Sequence, residues 1–229
     1  MSQHLRGISS MATRQVLAEL TAGFEQATGH RASIEAVGGV DAAQRVMAGE
    51  AFDVVVLASD AIAKLLAAGC IVPGSVVDLV RSGVAVAVPA GAPQPDIGSE
   101  DAVRQAVLAA RSISYSTGPS GVALAKLFER WGIAGEIAGR MVQAPPGVPV
   151  GSLVAKGEVE LGFQQLSELL HVQGIAIVGP LPPAIQITTT FSAGIGALSQ
   201  QADAARELLA YMASPQAADA KHRQGMSPA

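Results

Sequence analysis

Ile113-Ser114-Tyr115-Ser116-Thr117-Gly118-Pro119-Ser120-Gly121 runs from a short strand-like segment into a loop of small hydroxyls and glycines. Beyond it, Leu124, Leu127, Phe128 and Trp131 recur at helical spacing, so the stretch from Ser120 to Trp131 reads as an amphipathic helix. Strand, polar loop, helix is the repeating unit of a parallel α/β sheet. Ser120 stands where an N-cap belongs, and capping alone would explain a hydroxyl there. The first backbone N–H groups of a helix have no partner inside it, so the same loop is also a ready anion cradle.

The unit recurs on both sides. Leu5–Ile8 reads as a strand, followed by Ser9-Ser10-Met11 and a helix near Thr13–Ala27, with Gly29 as its stop. Arg31–Ala36 is a second strand, and Gly38-Gly39-Val40-Asp41 opens a helix through Met47. Asp53–Leu57 has the continuous apolar run of a buried parallel strand, and Ser59-Asp60 is expected to cap the next helix. After Gly83–Val88 comes the densest cluster of breakers in the chain, Pro89-Ala90-Gly91-Ala92-Pro93-Gln94-Pro95. This is read as the crossing into a second lobe. That lobe continues through helices at Ser99–Ala110 and Val148–Ala155 and a strand at Glu158–Phe163, with Gln164-Gln165 at its carboxyl end. An extended stretch near Ile185–Leu198 then returns to the first lobe, where helices at Ala204–Met212 and after Ser214-Pro215 follow. The expected domains are residues 1–88 with 191–229, and 89–190.

Composition sets outer bounds. The chain has 229 residues, enough for two lobes with real cores. Hydrophobic residues make up 49% but aromatics only 3%, so the core must be aliphatic. A net charge of −4 leaves no basic stripe for nucleic acid. The single Cys70 excludes an internal disulfide and a cysteine-cluster metal site. No apolar run reaches the length of a membrane span. Met1-Ser2-Gln3-His4 carries no basic segment or apolar leader, which fits either a cytosolic protein or a mature periplasmic one whose signal peptide is gone.

Open α/β sheets take ligands at the carboxyl ends of their strands. The small polar loops there contain Ser9, Ser10, Met11, Gly38, Gly39, Val40 and Ser59 in the first lobe. In the second they contain Ser116, Thr117, Ser120, Gly121, Val148, Gln164 and Gln165. Together they offer N–H groups, hydroxyls and amides with little fixed charge, a set suited to a small anion held by neutral hydrogen bonds. Each loop alone is equally explained by turn and cap chemistry.

The order of segments resembles the type II periplasmic binding protein fold, and is most similar to the molybdate-binding proteins of ABC transporters. The likeness is carried by Leu17–Gly29, Gly49–Asp60, Lys156–Phe163 and the ending Tyr211–Met226. It implies an α/β, two-lobed fold of mixed sheets flanked by helices, with a ligand cleft between the lobes. It also implies a monomeric solute-binding protein for an oxyanion or carboxylate, partnered by a transporter permease and needing no cofactor. In that family a serine in the first strand-to-helix loop and another after the second strand contact the oxyanion. Ser9 or Ser10 fills the first role, but Gly38-Gly39-Val40-Asp41 lacks the second hydroxyl. Gln164-Gln165 stands where the family commonly has a tyrosine. These departures weaken the case for molybdate itself. The same broad family includes aconitate isomerase, which keeps an isomerase of a small unsaturated polycarboxylate open as the alternative.

That alternative needs carboxylate anchors and a group that moves a proton on an allylic carbon. Arg81, beside the strand entering the crossover, is the candidate cation; an arginine ending a helix is the competing reading. Arg14 and Arg45 default to solvated helix faces and Asp41 to a helix N-terminal acid. His4, His30, His171 and His222 fall outside the expected cleft loops. No Ser-His-Asp set, phosphate-loop lysine or metal-ligand cluster is present in the sequence.

Overall fold

In the computed structural model the described residues are 3–145 and 147–229. β1 (His4–Ser10) leads through a 3-10 turn into α1 (Arg14–Thr28), and β2 (Arg31–Val37) leads into α2 (Gly39–Met47). β3 (Val54–Ala58) runs directly into α3 (Ser59–Ala67), followed by the long β4 (Val77–Pro89). Next come α4 (Glu100–Ala109), β5 (Ile113–Tyr115), α5 (Pro119–Arg130), α6 (Ala134–Ile137), β6 (Met141–Gln143) and α7 (Val150–Ala155). β7 (Leu161–Gln165), α8 (Leu166–Leu169), β8 (Ile175–Pro180) and β9 (Thr188–Ile195) follow, then α9 (Ala202–Ala213), α10 (Ala218–Arg223) and β10 (Met226–Pro228).

The chain forms two compact units, Met1–Ser82 with Thr190–Ala229, and Gly83–Thr189. Each unit ends inside a strand. The sequence reading places the first crossing at the breakers after Val88, whereas the unit boundary falls at Ser82/Gly83, within β4. Extended backbone continues through that point, so nothing in local composition marks it.

In the first unit β1 lies between β2 and β3 and is parallel to both, with Ser10 opposite Val37 and Ser9 opposite Val56. β9 pairs antiparallel with β3, which makes the sheet mixed. β3 is buried at every position, as its Val-Val-Val-Leu-Ala sequence requires of an interior strand. β2 alternates exposed Arg31, Ser33 and Glu35 with partly buried neighbours, the pattern of an edge strand. One face of the sheet packs on Val16, Leu17, Leu20 and Phe24 of α1 and on Leu208, Leu209 and Met212 of α9. The other packs Ile8, Val55 and Leu57 against α2 and α3. α1 stops at Gly29, whose φ of 74° is the left-handed cap that glycine adopts without strain.

In the second unit the latter half of β4 pairs antiparallel with β7 and with β8. β7 is parallel to β5, and β5 to β6. Val84, Val86 and Val88 of β4 share a core with Val103 and Val107 of α4 and Leu124, Leu127 and Phe128 of α5. Ala85 and Ala87, on the opposite face, pack against Leu169. The parallel strands β5 and β7 therefore end side by side, with Tyr115 opposite Phe163.

Candidate functional site

β1 brings Ser9 and Ser10 to its carboxyl end, both buried. Ser9 Oγ donates to the Glu35 carbonyl at 3.5 Å. Ser10 differs. Its carbonyl accepts from Thr13 Oγ1 at 3.1 Å, yet its own buried Oγ has no hydrogen-bond partner. A buried hydroxyl without a partner costs about 1–3 kcal/mol, so a position that keeps one is informative. Gly39 lies beside it: a Cβ added there would sit 3.6 Å from the Ser10 Cβ.

Gly39 and Val40 open α2, whose N-cap is Gly38 and carries no side-chain cap. The first N–H groups of that helix are thus left for another acceptor. The chain does cap a helix by side chain elsewhere, since Ser99 Oγ accepts from Ala102 N–H at 3.1 Å at the start of α4. Met11 is partly buried in the turn after Ser10. Ser59 does not cap α3 as expected. Ala58 is the N-cap, and Ser59 is the exposed first helical residue, because β3 passes into the helix with no intervening loop.

In the second unit α5 starts one step earlier than the sequence suggests. Gly118 is the N-cap and Pro119 the first helical residue, so Ser120 lies inside the helix and caps nothing. Proline at that position has its φ preset for a helix and no N–H to satisfy, which outweighs the capping preference of Ser120. Gly121 and Val122 N–H both donate to the Gly118 carbonyl, at 3.0 and 3.1 Å. Ser120 Oγ is buried and shares a 3.5 Å hydrogen bond with Ser116 Oγ. Thr117 is exposed. Gly121 is fixed by sterics, because a Cβ there would meet the Ser116 carbonyl oxygen at 1.8 Å.

Gln164 and Gln165 form the last two positions of β7 and lie opposite Ala85 and Val84. The strand thus begins at Leu161, not Glu158, and includes both glutamines. Their side chains alternate in direction. Gln165 Nε2 donates to Thr189 Oγ1 at 2.8 Å, and its buried Oε1 has no partner. A hydroxyl can donate or accept, so this amide can leave either an acceptor or a donor free. Gln164 has no such freedom: its Oε1 accepts from Gly151 N–H at 3.0 Å, which directs its Nε2 to Glu168 Oε1 at 2.9 Å. Val148 is exposed in the loop before α7, which begins at Val150 with Pro149 as N-cap. Pro146, in the same loop, lies outside the described residues.

Glu168 is absent from the sequence reading. Burial pushes its carboxyl up to about 7, against the lowering effect of the Gln164 hydrogen bond. The only sequence signal was a single acid within Leu166-Ser167-Glu168-Leu169-Leu170, directly after a strand end.

The candidate cations fall elsewhere. Arg81 lies within β4, exposed and opposite Ser227 of β10, and so does not end a helix. The strand starts at Val77, ahead of the expected Gly83. Among the described residues no hydrogen bond or ion pair joins Arg81 to the loops of its unit. Arg45 is held by two carboxylates, Glu35 Oε1 at 2.8 Å and Glu50 Oε2 at 2.7 Å. Both glutamates sit below their ordinary range because they accept from that guanidinium. His30 Nδ1 accepts from Gln3 N–H at 3.1 Å. Among the described residues no group of three or more His, Cys, Asp or Glu side chains could hold a metal ion. No described helix is long and apolar enough to cross a membrane.

Comparison with known proteins places this arrangement. Residues 5–227 match the family described as bacterial extracellular solute-binding protein. An aconitate isomerase from a Pseudomonas species is 40% identical over 227 residues, covering 96% of this chain and 86% of its own. Among solved structures, the periplasmic molybdate-binding protein of Azotobacter vinelandii superposes with a TM-score of 0.80 at 22% identity, over 97% of this chain and 98% of that one. The sulfate-binding protein of Mycobacterium tuberculosis H37Rv also gives 0.80, at 15% identity, over 99% and 87%. At those identities the two structures speak for the fold alone. The expected α/β binding-protein fold is thus borne out, and the chain belongs to the bacterial extracellular solute-binding protein family.

Proposed function

We propose that this protein binds a small carboxylate through neutral donors at the carboxyl ends of its strands. The observation that carries the reading is Ser10: a buried hydroxyl with no partner, beside the uncapped start of α2. Such a pair suits an anion oxygen, which takes one O–H and one or more N–H donors without any fixed positive charge. In the second unit, Ser120 with Ser116, and Gln165, offer neutral groups of the same kind. The chain lacks a hydroxyl in the Gly38–Val40 loop and carries glutamines at the end of β7, features that argue for a carbon-skeleton carboxylate over a tetrahedral inorganic oxyanion. In this role the protein acts as a periplasmic monomer that delivers its ligand to an ABC-transporter permease.

A second reading has one observation in its favour: the 40% identical relative bears the name aconitate isomerase. On that reading the bound polycarboxylate is also isomerised, with Arg81 as a candidate charge.

Calorimetric titration with trans-aconitate, cis-aconitate, citrate, molybdate, tungstate and sulfate tests the first reading, and NMR of the aconitate mixtures tests the second. Carboxylates are expected to bind at least about tenfold tighter than the inorganic anions, a gap of about 1.4 kcal/mol. Molybdate binding tighter than every carboxylate would overturn the assignment. Interconversion of the two aconitates that survives Arg81→Ala would remove Arg81 from the isomerase reading while leaving that reading in place.

A further inference from the structure

Gly39, Ala42, Ala43 and Val46 follow one another at helical spacing on the side of α2 that meets the sheet. Ala42 and Val46 are buried there in one core with Ile8 and Val55. On β1, Ser10 follows Ile8 by two residues and so lies on the same side of the sheet. Val37, opposite Ser10 on β2, packs against that core too, which fixes the side independently. One turn before Ala42, where the core would continue over Ser10, the helix has Gly39 and no side chain.

No backbone requirement explains this glycine. Its φ is not positive, and a Cβ there would meet only the Ser10 Cβ, at the ordinary contact distance of 3.6 Å. Alanine would also be the better helix residue. The fold thus keeps a side-chain-sized space over a buried hydroxyl that has no partner. The first intrahelical bond of α2 runs from Ala42 N–H to the Gly38 carbonyl at 2.8 Å. The N–H groups of Gly39, Val40 and Asp41 therefore have no acceptor within the helix. Asp41, the one acid of this turn, is two positions round the helix from Gly39 and exposed, so its charge is turned away from Ser10.

We propose that Gly39 determines which carboxylates the first unit accepts. The space left by its missing side chain takes a substituent on the carbon that bears the bound carboxylate, so branched acids enter as readily as linear ones. The inference rests on the carboxylate reading and adds a substrate class to it: acids whose carboxylate sits on a branched carbon, tricarboxylates among them. A carboxylate oxygen that accepts from Ser10 Oγ and from the start of α2 lies beside this space, and the carbon behind it carries its branch there. A Cβ at position 39 would occupy that room while leaving Ser10 and the helix N–H groups in place.

The test compares the full chain with its Gly39→Ala and Gly135→Ala variants by calorimetric titration and thermal unfolding. The probes are succinate, methylsuccinate and tricarballylate; the first two differ by a single methyl branch. The unaltered protein should bind the two branched acids at least as tightly as succinate. In Gly39→Ala, succinate affinity should stay within about threefold while both branched acids lose about tenfold or more, the scale on which one misplaced methyl group is felt in a fitted site. The melting temperature of Gly39→Ala should be unchanged or higher. Gly135, an exposed glycine of α6 with open space around it, controls for the change of glycine to alanine in a helix, and its variant should bind all three acids as the unaltered protein does. Equal losses for linear and branched acids in Gly39→Ala overturn the proposal, as do unchanged affinities or a lowered melting temperature. A preference of the unaltered protein for succinate overturns it as well. If the unaltered protein binds none of the three acids, the carboxylate reading itself fails and the proposal falls with it.

Discussion

At the scale of single residues, the proposed site draws on side chains such as Ser10 and Gln165, whose hydrogen-bonding capacity the fold leaves partly unused. Ser10→Ala tests this directly. Removing a buried hydroxyl that has no partner should leave stability unchanged or raise it by up to about 1 kcal/mol, while ligand affinity falls about tenfold. Chemical denaturation and calorimetry on one preparation would report both, and a loss of stability without a loss of affinity would assign Ser10 to structure. Glu168 gives a pH prediction with a definite sign. Its carboxyl is raised from the ordinary 4.5 to about 7 in the folded state, so its contribution to stability is fully present below about 4.5 and is lost as pH rises through about 7. Unfolding free energy should decline by at most about 1.4 kcal/mol per pH unit in that window, and Glu168→Gln should flatten the decline. The sequence points to Ser9 or Ser10 without separating them, and only the hydrogen bonds of the fold set Ser10 apart. Glu168 was not legible: a lone acid in a leucine-rich turn reads as a solvated helix face, and only the tertiary fold buries it enough to raise its carboxyl.

At the scale of elements, the strand–loop–helix alternation was visible throughout the chain, because apolar period and loop chemistry agree in each segment. What the sequence concealed were the joints. Pro119 takes the first position of α5 and displaces Ser120 from the cap, a contest between two favourable local rules that the proline wins. β3 passes into α3 without a loop, which leaves Ser59 exposed at a helix start that Ala58 caps only by its backbone. β7 absorbs Gln164 and Gln165 into its ladder with β4, since their backbone groups find partners there. The tightest of these joints is the turn between β5 and α5. Gly121→Ala would drive a Cβ to 1.8 Å from the Ser116 carbonyl oxygen, so the turn must open. The expected cost is about 1–3 kcal/mol in denaturant unfolding, accompanied by weaker ligand binding. Full retention of both would show that the turn has slack.

At the scale of the whole molecule, two units each offer a donor set, and a ligand that uses both should report on both. Ser10→Ala in the first unit and Gln165→Ala in the second are each expected to weaken the same carboxylate, read as a smaller ligand-induced rise in melting temperature. A carboxylate present at about 100 times its dissociation constant stabilises the unaltered protein by about 2.7 kcal/mol, large enough to resolve in a thermal melt. If only one variant weakens binding, the ligand belongs to one unit. The first unit is discontinuous, and its boundary falls inside β4, where extended backbone continues and local composition marks no joint. That discontinuity reaches beyond ligand chemistry. β9 lies against β3, and Phe191, Ala193, Ile195, Leu208, Leu209 and Met212 belong to the same core as α1. During translation, every residue of the contiguous second unit leaves the ribosome before these do. The nascent chain therefore closes its units in the reverse of the order in which it begins them, and β1 to β3 wait with one face of their sheet unfinished.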